Sequence, residues 1–267
     1  TSGTLIACDF KGKPIEKAIP YYKIYSKKSK FIKSLIPEET IRNSSSLGRA
    51  LHLFEKYGSE ILLRSQADWI SSWMTEDWEL GEEGNNLKLG WDQISKSWPK
   101  SFNSQKWRKA LPKIISSGNI FNKIDIHRAK ELDLPEDLIV IAGTTDSNAA
   151  VLAANSSLET GISILGSTIV LKKFVKEPHY SEGVTNHFVN GSWLCGGSSN
   201  AGGAVLKKFF TDAQIEELSH QIRPDEITGI NLVPLPFEGE RFPFNDPKLQ
   251  PVLTPRPTSD ALYLHAL

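Results

Sequence analysis

The passage that most restricts what this chain can become lies just past its midpoint. Five apolar residues, Leu138-Ile139-Val140-Ile141-Ala142, are followed by Gly143-Thr144-Thr145-Asp146-Ser147 and then by the small-residue run Asn148 to Ala154. A continuous apolar run bounded by turn residues reads as a strand buried on both faces, and the small-residue run reads as a helix. In sheets built from strand, turn and helix, polar groups at the carboxyl ends of strands are where sites form. Position alone leaves Asp146 with two readings. Its carboxylate can take a proton from a substrate hydroxyl or hold a metal, or Asp146 and Ser147 can cap the helix that follows. An aspartic-protease site needs Asp-Thr-Gly or Asp-Ser-Gly; here Asn148 follows Ser147, which excludes it.

Two further turns offer phosphate-binding chemistry. Gly166-Ser167-Thr168 lies between the strand-like runs Thr160 to Leu165 and Ile169 to Val175, and such a turn can present N–H groups and hydroxyls to phosphate oxygens. Ser198 to Gly203, with Gly202 and Gly203, reads as the opening of a helix through Phe210, where glycines let the backbone approach an anion at the helix start. Neither a Walker loop nor the dinucleotide fingerprint is present.

The 267 residues allow one large domain or two modest ones. Lysine plus arginine equals aspartate plus glutamate at 31 each, so the basic excess expected of a nucleic-acid binder is missing. The two cysteines, Cys8 and Cys195, make neither a disulfide framework nor a metal spacing, which fits a reducing, cytoplasmic setting. No apolar run approaches a membrane span and no signal segment opens the chain. Both ends read as cut: residue 1 is Thr, and the helix start at Thr258-Ser259-Asp260 has little chain after it.

Elsewhere, Thr4 to Phe10, the turn Lys11 to Pro14 and Ile15 to Tyr22 read as a hairpin. The lysine-rich stretch Lys23 to Lys33 reads as solvated surface. Ser44-Ser45-Ser46 caps a helix from Leu47 to Tyr57 that Gly58 stops. Ala67 to Met74 is a second helix, Gly81 to Gly90 a polar turn, and Trp98 to Leu111 a loop plus a helix. A short helix from Ala129 ends before Pro135. Asn190-Gly191 joins Val184–Val189 to Ser192–Gly196 as a hairpin. Asp212 to Ile222 is a helix and Ile230 to Val233 a strand. A domain boundary is expected near residue 156, giving domains 1–156 and 157–267, the second opening on antiparallel strands.

In this order, strand, Thr144-Thr145-Asp146, small-residue helix, then strand, Gly166-Ser167-Thr168 and strand resemble the middle of FGGY-type carbohydrate kinases. Thr1-Ser2-Gly3-Thr4 with Cys8 to Pro14 is similar to that family's sugar-contacting turn and the hairpin after it. Gln66-Ala67-Asp68-Trp69-Ile70 and Asn85-Asn86-Leu87-Lys88-Leu89-Gly90-Trp91-Asp92 resemble the D-ribulose or D-xylulose kinase branch of cyanobacteria and plants. Gly239-Glu240-Arg241 with Pro243 is similar to the family's Gly-Glu-Arg-x-Pro stretch.

The resemblance implies an incomplete two-domain, ribonuclease-H-like (actin-like ATPase) α/β fold. It implies ATP and Mg²⁺ as cofactors, a sugar as the partner substrate, and Asp146 as the base at the sugar's primary hydroxyl. It places Thr1, Ser2, Gly3, Asn85 and Asn86 at the sugar, and Gly166, Ser167, Thr168, Gly202 and Gly203 at the nucleotide. A homodimer is left open. Departures are the family's opening Asp-Phe-Gly-Thr-Ser-Gly loop, its Gly-Gly adenosine segment, and Tyr22-Lys23 where Asn-Asp is common. By itself this stretch is therefore expected to have little activity. The competing readings are a non-catalytic actin-like assembly or regulatory protein, and a same-fold kinase for another substrate.

Overall fold

The computed structural model describes residues 3–25, 29–36, 46–154 and 160–267. Contacts divide the chain into two compact units, Thr1–Ala153 with His187–Gly191, and Ala154–Asn186 with Ser192–Leu267.

Unit 1 begins with β1 (Leu5–Cys8), which pairs antiparallel with β2 (Leu62–Ser65), Leu5 opposite Ser65. The segment after β1 turns back as expected, through Gly12 (φ +77°), where a side chain would run into the Trp78 ring. Its return arm, Ile15 to Tyr22, forms no strand and touches β1 only through the bridges Cys8–Pro14 and Leu5–Ile19. The next elements are α1 (Ser29–Leu35) and α2 (Leu47–Tyr57). Helix α2 has the bounds its apolar spacing predicts and buries Leu47, Leu51 and Phe54. Ser46 does not cap it through its side chain, because its Oγ accepts from Arg49 instead, at 2.9 Å; Ser44 and Ser45 lie outside the described residues.

Helix α3 (Gln66–Thr75) is capped by Ser65, whose oxygen accepts from the Asp68 N–H. Strand β3 (Leu80–Glu82) leads into the single turn α4 (Glu83–Asn86) and a 3-10 turn, Leu87–Leu89. The helix expected within Trp98 to Leu111 is two 3-10 turns, Lys100–Ser104 and Lys106–Ala110. Strand β4 (Lys113–Ile115) pairs parallel with β3. Strand β5 (Ile120–Lys123) precedes α5 (Ile126–Glu131), and β6 (Ile139–Ile141) pairs antiparallel with β5. Helix α6 (Asp146–Ala153) follows. The core of the unit joins β1, α2 and β2 to Trp91, Trp98, Phe102 and Trp107, with the Phe54 and Trp107 rings stacked 5.1 Å apart.

The expectation of a strand buried on both faces fails at β6. Val140 is buried on Phe121 and Ala142, but Ile139 and Ile141 stand about half exposed. Strands β5 and β6 form a two-stranded sheet, and the face bearing Ile120, Ile139 and Ile141 is uncovered among the described residues.

Strands β7 (Gly161–Leu165), β8 (Ile169–Val175), β9 (Val184–Val189) and β10 (Ser192–Ser199) form one sheet in the order β7-β8-β10-β9, all of it in unit 2 except His187–Val189. Asn190 and Gly191 take φ of +51° and +75°, the pair of left-handed conformations that a tight hairpin turn needs. Strand β10 runs on to Ser199, and the helix expected through Phe210 reduces to one 3-10 turn, Leu206–Lys208. Helix α7 (Asp212–Ser219) opens on a Thr211/Gln214 capping box. Val233 makes an isolated bridge to Val252 rather than a strand. Helix α8 (Asp260–Ala266), capped by Ser259, buries Tyr263 and Leu264 against Phe210.

Candidate active site

Asp146 is the first residue of α6 rather than part of the turn before it. The Ala149 and Asn148 N–H groups donate to the Thr145 carbonyl, so the helix begins at the carboxyl end of β6. A negative side chain is favoured there by the helix dipole. The side chain is exposed. Its Oδ1 accepts the Ser147 N–H at 2.8 Å, and Oδ2 has no hydrogen-bond partner among the described residues. Beneath it, Asn148 is fully buried and donates from Nδ2 to Thr144 Oγ1 at 3.3 Å, which fixes the threonine turn to the helix.

Lys88 faces Asp146. It sits half-buried in the 3-10 turn after Asn86, and its carbonyl accepts the Ser46 N–H at the start of α2. Burial pushes its ammonium below the ordinary lysine range; the Arg49 guanidinium adds to this, and the Asp146 carboxylate opposes it. No hydrogen bond or ion pair within 4 Å holds Lys88 Nζ among the described residues. Arg49, in contrast, is committed: it donates to the carbonyls of Tyr21 (2.9 Å) and Lys23 (3.0 Å) and to Ser46 Oγ. This site thus holds one carboxylate and one cation that are free to meet a ligand. Nothing in the local pattern singles out Lys88, since its neighbours Arg49 and Asp146 are distant in sequence.

Of the sugar-contacting candidates, Thr1 and Ser2 lie outside the described residues. Gly3 is buried, and a Cβ there would lie 2.7 Å from Tyr21 Cβ and 3.6 Å from Arg49 Nη2. Asn85 and Asn86 are in α4, and the segment expected to be a polar turn is buried: Glu82, Glu83, Asn85 and Asn86 are all below 5% exposed. Its carboxylates are met by donors of the same region, while Asn86 Oδ1 is buried without a partner among the described residues. Glu82 accepts from the Gly84 and Asn85 N–H groups at 2.8 Å and from Ser117 Oγ at 2.6 Å. Asp68 accepts from the Glu82 N–H at 2.9 Å and from Asn86 Nδ2 at 2.7 Å. Burial raises both acids, Glu82 to about 7. Asn86 is therefore a structural latch through its Nδ2, while the Asn85 side chain makes no hydrogen bond to a described residue.

In unit 2 the structure brings the two candidate nucleotide turns together. Gly203 N–H donates to the Gly166 carbonyl at 2.8 Å and Ala204 N–H to that of Ser167 at 3.2 Å. A Cβ on Gly202 would lie 2.8 Å from Ser167 O, so its glycine is required by this close packing. Because Gly202 and Gly203 do not open an α-helix, the helix-dipole argument for them falls. Ser167 and Thr168 fit phosphate better: no hydrogen bond engages their hydroxyls or N–H groups among the described residues. Glu240, from the Gly239-Glu240-Arg241 stretch, holds this region in place. It accepts from Ser199 Oγ (2.6 Å) and from the N–H groups of Asn200 (2.8 Å) and Arg241 (2.7 Å). Burial works to raise its pKa, but these donors outweigh burial and lower it.

No protein-family profile matches the sequence. The fold, in contrast, is that of part of the FGGY sugar kinases, with their actin-like ATPase architecture. The chain is similar to the xyloylose kinase from Brucella ovis over 99% of its own length and 59% of that chain, at TM-score 0.81 and 14% identity. It is similar to gluconate kinase from Lactobacillus acidophilus over the same shares, at TM-score 0.74 and 14% identity. It is also similar to Plasmodium falciparum glycerol kinase with ADP over 98% of this chain and 58% of that one, at TM-score 0.75 and 15% identity. The chain thus spans about six-tenths of the length of these structures.

Proposed function

We propose that this chain is part of an ATP-dependent carbohydrate kinase that phosphorylates a primary hydroxyl of a ketopentose, D-ribulose or D-xylulose, with Asp146 as general base. The observation that carries the reading is the exposed Asp146 carboxylate at the end of β6, with an unengaged oxygen and Lys88 within electrostatic reach. The likeness to kinases named for a pentulose, gluconate and glycerol supports the kinase class. The choice of ketopentose rests on the Asn85-Asn86 stretch and its resemblance to the ribulose and xylulose branch.

In this reaction Asp146 takes the hydroxyl proton as the sugar oxygen bonds to the γ-phosphorus. The bond from that phosphorus to the bridging oxygen breaks, and ADP leaves. Lys88 offsets the negative charge gathered at the acceptor, and Asn85 offers its amide to a sugar hydroxyl. Ser167 and Thr168 offer N–H groups and hydroxyls to the nucleotide's phosphates. No described cluster of three or more His, Cys, Asp or Glu side chains could hold a metal by itself. Magnesium bound with the nucleotide would supply charge neutralisation at the phosphates.

The test is ADP release by the full-length protein that carries this stretch, with ATP, Mg²⁺ and a panel of ketoses, polyols and aldonates. Release driven by D-ribulose or D-xylulose supports the proposal. Release driven only by a polyol or aldonate retains the kinase and overturns the ketopentose. No release with any acceptor overturns the kinase.

A further inference from the structure

A second place on unit 1 has the chemistry of an anion site. A cavity of about 670 Å³ is lined by five cations, Lys96, Lys100, Arg108, Lys109 and Lys113, and by no acidic residue. In a chain of zero formal net charge this is a local surplus. Lys109 is paired with Glu60, whereas Lys96, Lys100, Arg108 and Lys113 have no ion pair among the described residues.

Arg108 is half-buried with its guanidinium 5.7 Å from the Trp98 ring centroid, and its Nε is buried without a partner. Burial lowers its pKa, as expected of a cation whose lost water nothing replaces. Trp91 also lines the cavity. It is 8% exposed, and its indole N–H is a second buried donor without a partner. Buried donors left unmade cost free energy, so two of them beside cations that have no ion pair among the described residues call for acceptor oxygens. Trp91 and Trp98 meet edge to face at 5.4 Å, and together with Leu111 and Ile114 they give the cavity an apolar side. The volume suits a small organic molecule. Gly3, Asn85, Asn86, Lys88 and Asp146 are not in the lining, so this place is separate from the proposed sugar site.

We propose that this cavity binds a small organic phosphate, with the phosphate held by Arg108 together with Lys96, Lys100 and Lys113, and the carbon skeleton laid against Trp98. A planar guanidinium suits phosphate oxygens, and several cations suit a dianion over a carboxylate.

The experiment is calorimetric titration of the protein with phenyl phosphate, inorganic phosphate and phenol, with tryptophan fluorescence as a second signal. Phenyl phosphate is expected to saturate and to bind more tightly than inorganic phosphate, while phenol does not saturate. Arg108→Gln should weaken phenyl phosphate by about 10-fold or more, the scale of a lost charge-assisted hydrogen bond. The exposed pair Lys100→Gln and Lys113→Gln should weaken it further with an unchanged thermal midpoint, and Asp146→Ala should leave it unchanged. If Arg108→Gln fails to fold, the lysine pair decides alone. Saturation absent for both anions, affinity indifferent to the arginine and lysine variants, or loss on Asp146→Ala would each overturn the proposal.

Discussion

Two strand-to-helix turns in unit 1 are led by acids and put them to opposite use. After β3, Glu82 and Asp68 are buried, and their oxygens are taken up by the Gly84, Asn85 and Glu82 N–H groups, Ser117 and Asn86. After β6, Asp146 is exposed, with one oxygen on the Ser147 N–H and the other unengaged. The first turn spends its carboxylates on holding a polar segment inside the protein. The second leaves one carboxylate oxygen unengaged at the surface. Both arise from the same strand–turn–helix pattern, so burial and hydrogen bonding separate a structural acid from a chemical one.

The contrast predicts opposite responses to the same change. Asp68→Ala strands the Glu82 N–H, leaves Asn86 Nδ2 with only the Glu82 carbonyl and removes one of the charges near Arg64; at ~1–3 kcal/mol for each unsatisfied buried group, it should cost about 2–5 kcal/mol in denaturant unfolding. Asp146→Ala removes an exposed side chain and should shift stability by no more than ~0.5 kcal/mol. Equal costs would break the comparison.

The pH dependence sharpens it. Burial lifts Glu82 from 4.5 to about 7, and Asp68 and Glu83 are raised as well. Between these values the unfolded chain has lost the proton that the folded one retains. The Glu82 contribution to stability is therefore full below the unfolded value and is lost as pH rises toward 7. Thermal midpoints should fall on this account from pH 5 to 7, and Glu82→Gln should flatten the fall. An unchanged slope in Glu82→Gln would contradict a buried, titrating Glu82.

Glycines give a smaller contrast. Gly202→Ala forces a Cβ to 2.8 Å from Ser167 O and should cost about 1–3 kcal/mol as overpacking does, whereas Gly143→Ala meets no atom within 4 Å and should be nearly silent.

Local signals were legible in the sequence. Helix α2 follows from apolar spacing and Gly58, and the β9–β10 hairpin from Asn190-Gly191. The segment Leu62–Ser65 carries no clear strand signal because Arg64 interrupts its apolar character, although in the structure that arginine is buried on the carbonyls of Leu63, Ala110 and Trp78. The polarity of Gly81 to Gly90 reads as a turn, because composition does not show that Glu82, Asp68 and Asn86 hold one another inside the protein. The exposed Ile139 and Ile141 show the reverse case, apolar positions that no described residue covers. At the site, Asp146 was visible through its strand and turn. Lys88 was not, since its standing depends on Arg49 and Asp146 through space.

The central claim is that Asp146 is free in order to act as a base. Its most direct test is single-turnover ADP formation by the wild-type protein and Asp146→Asn, with D-ribulose or D-xylulose, beside equilibrium binding of the same sugar. The account predicts that the variant binds the sugar and melts as the wild type does while transfer slows by about 10²–10⁴-fold. Transfer at the wild-type rate in Asp146→Asn would contradict it.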